Sequence, residues 1–262
     1  MGKKLKKIIC MIMLTVVFSA ASSVLCSAQE IKVPVILYHN IAQNTGEGYY
    51  DPYLNIPADL FESHIATLKE AGYNAITYEQ YYDYVINDAP LPDKPIIITF
   101  DDGYSSNYMY AYPVLKKYNT KATIFVITDR RGLALSINPH FSWNQAREMQ
   151  SSGIIDIQSH THSHQMSTTL SDFDLFFELK TSKNMIENKM GKKCSVLAFP
   201  FGDAGEREIE AAKKAGYLVI NKVGDAGVNR KSEGVDALKR ITVRADWSAQ
   251  RLLDIINENM DL

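Results

Sequence analysis

The stretch "PIIITFDDGY", residues 95–104, decides how this chain is read. From Pro95 to Phe100 it is apolar at nearly every position, as a strand buried on both faces must be. Two carboxylates and a glycine follow at once. Successive strand residues point to opposite faces, so Asp101 and Asp102 could not share a site within a strand. At a strand end, with Gly103 allowing a sharp turn, both reach one cleft. One Asp after a strand is explained as a helix N-cap; two in a row are not.

Outward from this segment, strand-length apolar runs recur at 33–38, 74–78, 122–127, 154–158, 195–199, 217–221 and 240–243, with helical patterns between them. Ser142 with Gln145, and Ser171 with Asp174, read as capping boxes. Gly72, Gly153, Gly191 and Gly216 each close a helical pattern just before a strand. Seven or eight strands alternating with helices, and no linker or low-complexity stretch, predict one α/β domain. The expected form is a distorted (β/α) barrel, with an open doubly wound sheet as the competing architecture. In a barrel the chemistry lies where strands end, so strand ends become the places to search.

The bulk properties narrow the function. "MGKKLKK", an apolar run and the small residues of "CSA" form the three-part pattern of a secretory signal peptide over residues 1–28, leaving 29–262 as the exported domain. Removal of Lys3, Lys4, Lys6 and Lys7 takes 28 basic residues to 24 against 30 acidic ones, so the remainder is near −6. That balance argues against nucleic acid and against strong attraction to anionic membranes. Cys194 is then the lone cysteine, so no internal disulfide supports the fold.

A second strand, "IIDIQ", runs into Ser159-His160-Thr161-His162-Ser163-His164, which holds three of the six histidines. Imidazole is the commonest metal ligand near neutral pH. In an extended chain His160 and His162 could share an ion, whereas in a helical turn His160 and His164 could. Either pair needs a carboxylate, and Asp102 is the natural third ligand. A third strand end, "LAFPFGD" at 197–203, places Pro200, Phe201 and Gly202 in a loop able to present main-chain N–H groups to an oxyanion.

"TFDDGY" (99–104), His160-Thr161-x-x-His164 and "FPFG" (199–202), in this order, resemble the polysaccharide deacetylase family, the NodB-like carbohydrate esterases, over a motif core of about 95–205. The resemblance implies one divalent metal, usually zinc, on Asp102, His160 and His164, with Asp101 as general base. It also implies that His162 is a neighbour and not a ligand. Two departures stand out. The third motif usually carries an Arg where this chain has Ala198, so that charge must come from elsewhere, with Arg240 and Arg244 as candidates. The usual general-acid histidine near the C-terminus is missing, since no His follows His164. His39, ending the strand "VPVILYHNI" (33–41), resembles the "YH" strand end of the poly-N-acetylglucosamine deacetylase branch and is the candidate acid. His64 lies in an amphipathic helical pattern and is expected at the surface; His140 lies in a loop.

The implied activity is metal-dependent removal of N-acetyl groups from an N-acetylglucosamine polysaccharide, outside the cell or at its surface, with no stable protein partner. The alternatives are a peptidoglycan or chito-oligosaccharide deacetylase, an O-acetyl esterase, and a non-catalytic polysaccharide-binding protein on the same fold. Tyr53, Tyr104 and Trp143 are candidate sugar contacts. Tyr49, Tyr50 and Trp247 are further aromatics near strand ends.

Overall fold

The computed structural model describes residues 30–43, 51–130, 132, 138–223 and 227–261. The expected signal segment, Tyr49 and Tyr50 lie outside them. The strands are β1 (Lys32–Tyr38), β2 (Asn40–Ala42), β3 (Asn55–Pro57), β4 (Asn74–Ala75), β5 (Pro95–Phe100), β6 (Ala122–Val126), β7 (Ile155–Ser159), β8 (Val196–Ala198), β9 (Val219–Asn221), β10 (Val228–Arg230) and β11 (Ile241–Thr242). The α-helices are α1 (Ala58–Glu70), α2 (Tyr78–Asn87), α3 (Tyr112–Lys117), α4 (Trp143–Ser151), α5 (Asp172–Met190), α6 (Glu206–Ala215) and α7 (Ala249–Asp261).

The main sheet runs β10-β1-β5-β6-β7-β8-β9, with β4 added beside β5 and β11 beside β1. Neighbours from β1 through β9 are parallel, and only β10 runs antiparallel. Beyond β9, Val235 and Leu238 exchange backbone hydrogen bonds with Ile220 and Lys222, continuing the curl. The result is the half-barrel form of the predicted (β/α) architecture.

Strand alternation builds two apolar layers. Ile96, Ile98 and Phe100 of β5 face the surrounding helices with Ile36, Tyr38, Ile155, Ile157 and Leu197. Ile97 faces the other way, with Val33, Val35, Phe125, Val196, Ala198 and Val219, under Tyr78 and Tyr81 of α2. This inner face matters for function. By the same period of two, Asp101, His39 and His160 continue the inward-facing register of β5, β1 and β7. Three separate strands therefore aim chemistry-bearing side chains at one place.

Several boundaries differ from expectation. The run 74–78 is a two-residue strand, because Thr77 caps α2: its hydroxyl accepts from Gln80 N–H, and Gln80 reaches back to Thr77 N–H. The Ser142–Gln145 capping box forms as expected at α4. The short strands β2, β3 and β10 have too few residues to show a period. His64 corrects the surface expectation. It is fully buried, its Nε2 donates to the Trp247 carbonyl at 3.0 Å, and its Nδ1 therefore accepts from the Tyr38 hydroxyl at 3.1 Å. Cys194 is buried, which pushes its thiol up to about 12 and leaves it inert.

Candidate active site

Asp101 and Asp102 follow β5, and the turn that separates their roles is visible in the backbone. Asp102 takes a left-handed conformation (φ 66°) and Gly103 repeats it (φ 72°). Without that turn Asp102 would point to the helix side; with it, Asp102 enters the cleft. His160 Nε2 lies 3.5 Å from Asp102 Oδ1, and His164 Nε2 lies 3.3 Å from the same oxygen.

The histidine segment is neither extended nor helical. Thr161 (φ 65°) and His164 (φ 64°) are both left-handed, and His164 N–H donates to Thr161 Oγ1 at 3.2 Å. Such conformations cost about 1–3 kcal/mol each for ordinary residues and persist only where surroundings impose them. Here Glu178 of α5 imposes them: its carboxylate accepts from His162 N–H (3.0 Å), Ser163 N–H (2.8 Å) and the Ser163 hydroxyl (2.7 Å). His162 points away, with Nδ1 2.9 Å from Thr128 Oγ1. No sequence signal marks Glu178, an acid in a helical pattern.

The donor set suits a divalent cation. Asp102, His160 and His164 each offer an atom within 4.8 Å of the others. His160 Nδ1 is 2.8 Å from the Ala198 carbonyl, which can only accept, so the proton is on Nδ1 and the Nε2 lone pair faces the site. Two imidazoles and a carboxylate, with His160 orientated from behind, form the donor set of a catalytic metal centre. His164 suits that role, since burial pushes its imidazole down to about 4.

Asp101 stands beside that donor set, its Oδ2 3.7 Å from His160 Nε2. Arg240 grips it bidentately, with Nη1 to Oδ1 at 2.7 Å and Nη2 to Oδ2 at 2.8 Å. The guanidinium is buried, donates Nε–H to the Lys222 carbonyl at 3.2 Å and lies 5.4 Å from the Phe125 ring centroid. Burial alone would raise the Asp101 carboxyl. The Arg240 charge and hydrogen bonds, with smaller contributions from His160 and His39, instead hold it well below the usual carboxylate range. Arg240 thus fills the inner face to which Ala198 also points, and supplies the cation that the Ala198 position lacks. Arg244 serves elsewhere: it stacks 4.1 Å over half-exposed Tyr53 and pairs with Asp246.

His39 follows β1, hydrogen-bonded to β5 at this level through Asp101 N–H to Tyr38 O at 3.0 Å. Burial pushes its imidazole down, while Asp102 and Asp101 pull it up; the net direction is down. Asn107 holds the strand end from behind, donating Nδ2–H to the His39 carbonyl at 2.8 Å. It opens a single π-helical turn, Asn107–Ala111, just after the carboxylates. A neighbouring chain, Ser106 to Asn40 and Asn40 Nδ2 to Asn55 Oδ1, ties β2 and β3 to the same turn. Nothing in sequence spacing points to Asn107.

The Pro200–Gly202 loop flanks the other side. Phe201 is left-handed (φ 60°), and its exposed ring lies 4.8 Å from His164. A Cβ on Gly202 would meet Val223 N at 2.6 Å, so this position admits only glycine. Of the expected sugar contacts, Tyr104 is buried, 5.0 Å from the His140 ring, and so presents no stacking face. Trp143 opens α4 half-buried against the helix-side core. Tyr53 is half-exposed beneath Arg244.

A buried Asp–His–His cluster beside an arginine-held carboxylate, at the C-terminal ends of parallel strands, is the apparatus of a (β/α) hydrolase with a metal-type site. The chain belongs to the polysaccharide deacetylase family, whose profile matches residues 88–220. YxkH of Bacillus subtilis (strain 168), assigned to the polysaccharide deacetylases, is 33% identical over 217 residues, covering 83% of this chain and 73% of that protein. Poly-beta-1,6-N-acetyl-D-glucosamine N-deacetylase of Staphylococcus aureus (strain MSSA476) is 29% identical over 165 residues, 60% of this chain and 57% of that enzyme. Among solved structures, the Streptococcus pyogenes deacetylase PplD in complex with acetate superposes with a TM-score of 0.78 at 27% identity, covering 87% of this chain and 99% of that one.

Proposed function

We propose that this protein is an exported hydrolase that removes N-acetyl groups from N-acetylglucosamine units of an extracellular polysaccharide, with poly-N-acetylglucosamine favoured. The observation that carries the choice of polymer is His39: it continues the inward register of β1 next to Asp101, where the motif core itself offers no proton donor. The 29% identity to the staphylococcal poly-β-1,6-N-acetylglucosamine enzyme supports the same choice.

Asp102, His160 and His164 would hold a divalent ion, zinc by its preference for such ligands. Bound there, the ion polarises the substrate carbonyl and acidifies a water molecule. Asp101, kept ionised by Arg240, accepts a proton from the attacking water. The Phe201 N–H donates to the carbonyl oxygen as it gains charge. His39 gives a proton to the departing nitrogen. The proton it gives balances the one that Asp101 takes from water, and burial, which pushes this imidazole down, favours its release. The C–N bond breaks, acetate leaves and the polymer keeps a free amine.

Acetate release from a panel of N-acetylglucosamine polymers tests this reading. Release is expected from poly-N-acetylglucosamine, abolished by chelation and restored by zinc. A folded, zinc-loaded protein that releases none from any polymer would instead be a binding module. His39→Ala is expected to keep the metal and to lower kcat by about a hundredfold or more, the usual scale of general acid catalysis. Wild-type turnover in that variant, with metal bound, removes His39 from the mechanism.

A further inference from the structure

In a strand-loop-helix unit the helix starts at the end of the barrel where the strand finishes. The first two turns of α5 therefore stand at the rim of the candidate active site, just after the histidine loop. Phe173, Phe176 and Phe177 lie there at helical spacing i, i+3 and i+4, and are 78%, 41% and 53% exposed. Three exposed rings side by side on a surface helix form an apolar patch of the kind that marks a binding site. The stripe adjoins the loop that carries the site: Phe177 lies edge-on, 6.3 Å between centroids, to His162, whose ring turns away from His160 and His164. Beyond that loop, Phe201 lies against His164.

We infer that the Phe173–Phe177 stripe is a docking platform for the flanking units of the glycan chain whose acetyl group is in the active site. The inference rests on the function proposed above. Sugar rings present C–H faces that pack on aromatic rings, and a linear polymer leaving the metal cleft over the histidine loop meets Phe177 first. Charge selects this occupant over a lipid surface. Asp172 and Asp174 flank the stripe in the first turn of α5. Arg207 pairs with Asp172 and Glu208, and Lys180, bonded to the neutral Ala215 carbonyl, keeps its charge, so the three acids outnumber the two cations by one. An acidic border repels anionic lipid and attracts the ammonium groups that deacetylation leaves on the chain.

The test compares Phe173→Ser/Phe177→Ser with wild type on polymeric poly-N-acetylglucosamine and on its disaccharide, following acetate. Both side chains are exposed, so the variant is expected to fold and to bind zinc as wild type does. The expected result is a KM for the polymer raised roughly tenfold, the scale of losing one or two aromatic contacts, with kcat unchanged and disaccharide kinetics unaltered. Phe173→Trp/Phe177→Trp is expected to retain the wild-type KM. Wild-type binding to partly deacetylated polymer is expected to weaken as salt rises. An unchanged polymer KM, or an equal change on both substrates, overturns the platform. So does a variant whose only defect is lost sedimentation with phosphatidylglycerol vesicles, or a lower mass by light scattering; these point to a membrane and to a second copy respectively. Should wild type release acetate from neither substrate, the proposed function fails by itself. Sedimentation of wild type and variant with the insoluble polymer then judges the platform, and equal binding overturns it.

Discussion

An Arg240→Met protein is expected to bind its metal as wild type does, to lose about a hundredfold or more in kcat, and to be less stable by about 3–5 kcal/mol. The pair it breaks is buried on both sides, with two hydrogen bonds of 2.7 and 2.8 Å. Burial is the largest influence on Asp101 and acts to raise its carboxyl; Arg240 is the main force opposing it. Without the guanidinium, burial pushes the carboxyl up, toward the acid form that cannot accept a proton from water. Stability should follow with a defined sign. The folded-state value of Asp101 lies below an unfolded value of about 3.9. The pair's contribution is thus present above about pH 4 and lost as pH falls toward the depressed value. The stability gap between wild type and Arg240→Met should therefore narrow in acid, as urea unfolding at several pH values would measure. Arg240→Lys keeps a charge but not the fork, so partial recovery is expected. Wild-type kcat in Arg240→Met would show that Asp101 needs no such partner.

The second large effect separates the two adjacent carboxylates. Asp101→Asn is expected to retain zinc and lower kcat by about 10²–10⁴, because the amide keeps the shape but accepts no proton. Asp102→Ala is expected to lose zinc and activity together, since both histidine Nε2 atoms converge on Asp102 Oδ1. Metal content after gel filtration, measured beside acetate release, distinguishes the two. Equal metal loss in both variants would mean that Asp101 is itself a ligand, a role its grip by Arg240 opposes.

These expectations rest on features of unequal visibility in the chain. The carboxylates, the histidine loop and "FPFG" are local: each follows a strand whose apolar period is readable, and strand ends are where such a fold gathers its chemistry. Arg240 was one of two candidates, and sequence held no means of choosing, because Arg240 and Arg244 flank the same short strand. His64 was misplaced because an amphipathic pattern of 3.6 residues tolerates a polar residue at its edge. Only the packing of α1 against Tyr38 and Trp247 shows that both ring nitrogens are engaged inside. Tyr104 is a candidate sugar contact by sequence, yet His140, from a loop 36 residues later, covers it.

Local order along the chain was enough for the alternation of strands and helices and for the identity of the groups at the strand ends, because period and punctuation act over a few residues; it left an open sheet as a competitor to the curled one. The arrangement of those groups was decided elsewhere. Arg240 reaches Asp101 across 139 positions, Glu178 reaches back 15 and 16 positions to Ser163 and His162, and Asn107 holds the His39 carbonyl from 68 positions away. Each is a side-chain hydrogen bond between segments brought together by the curl of the sheet, by strand pairing or by a helix packing back on the loop before it. Left-handed Asp102, Thr161, His164 and Phe201 hold conformations their own propensities disfavour. Long-range contacts select such conformations, and no local pattern encodes them.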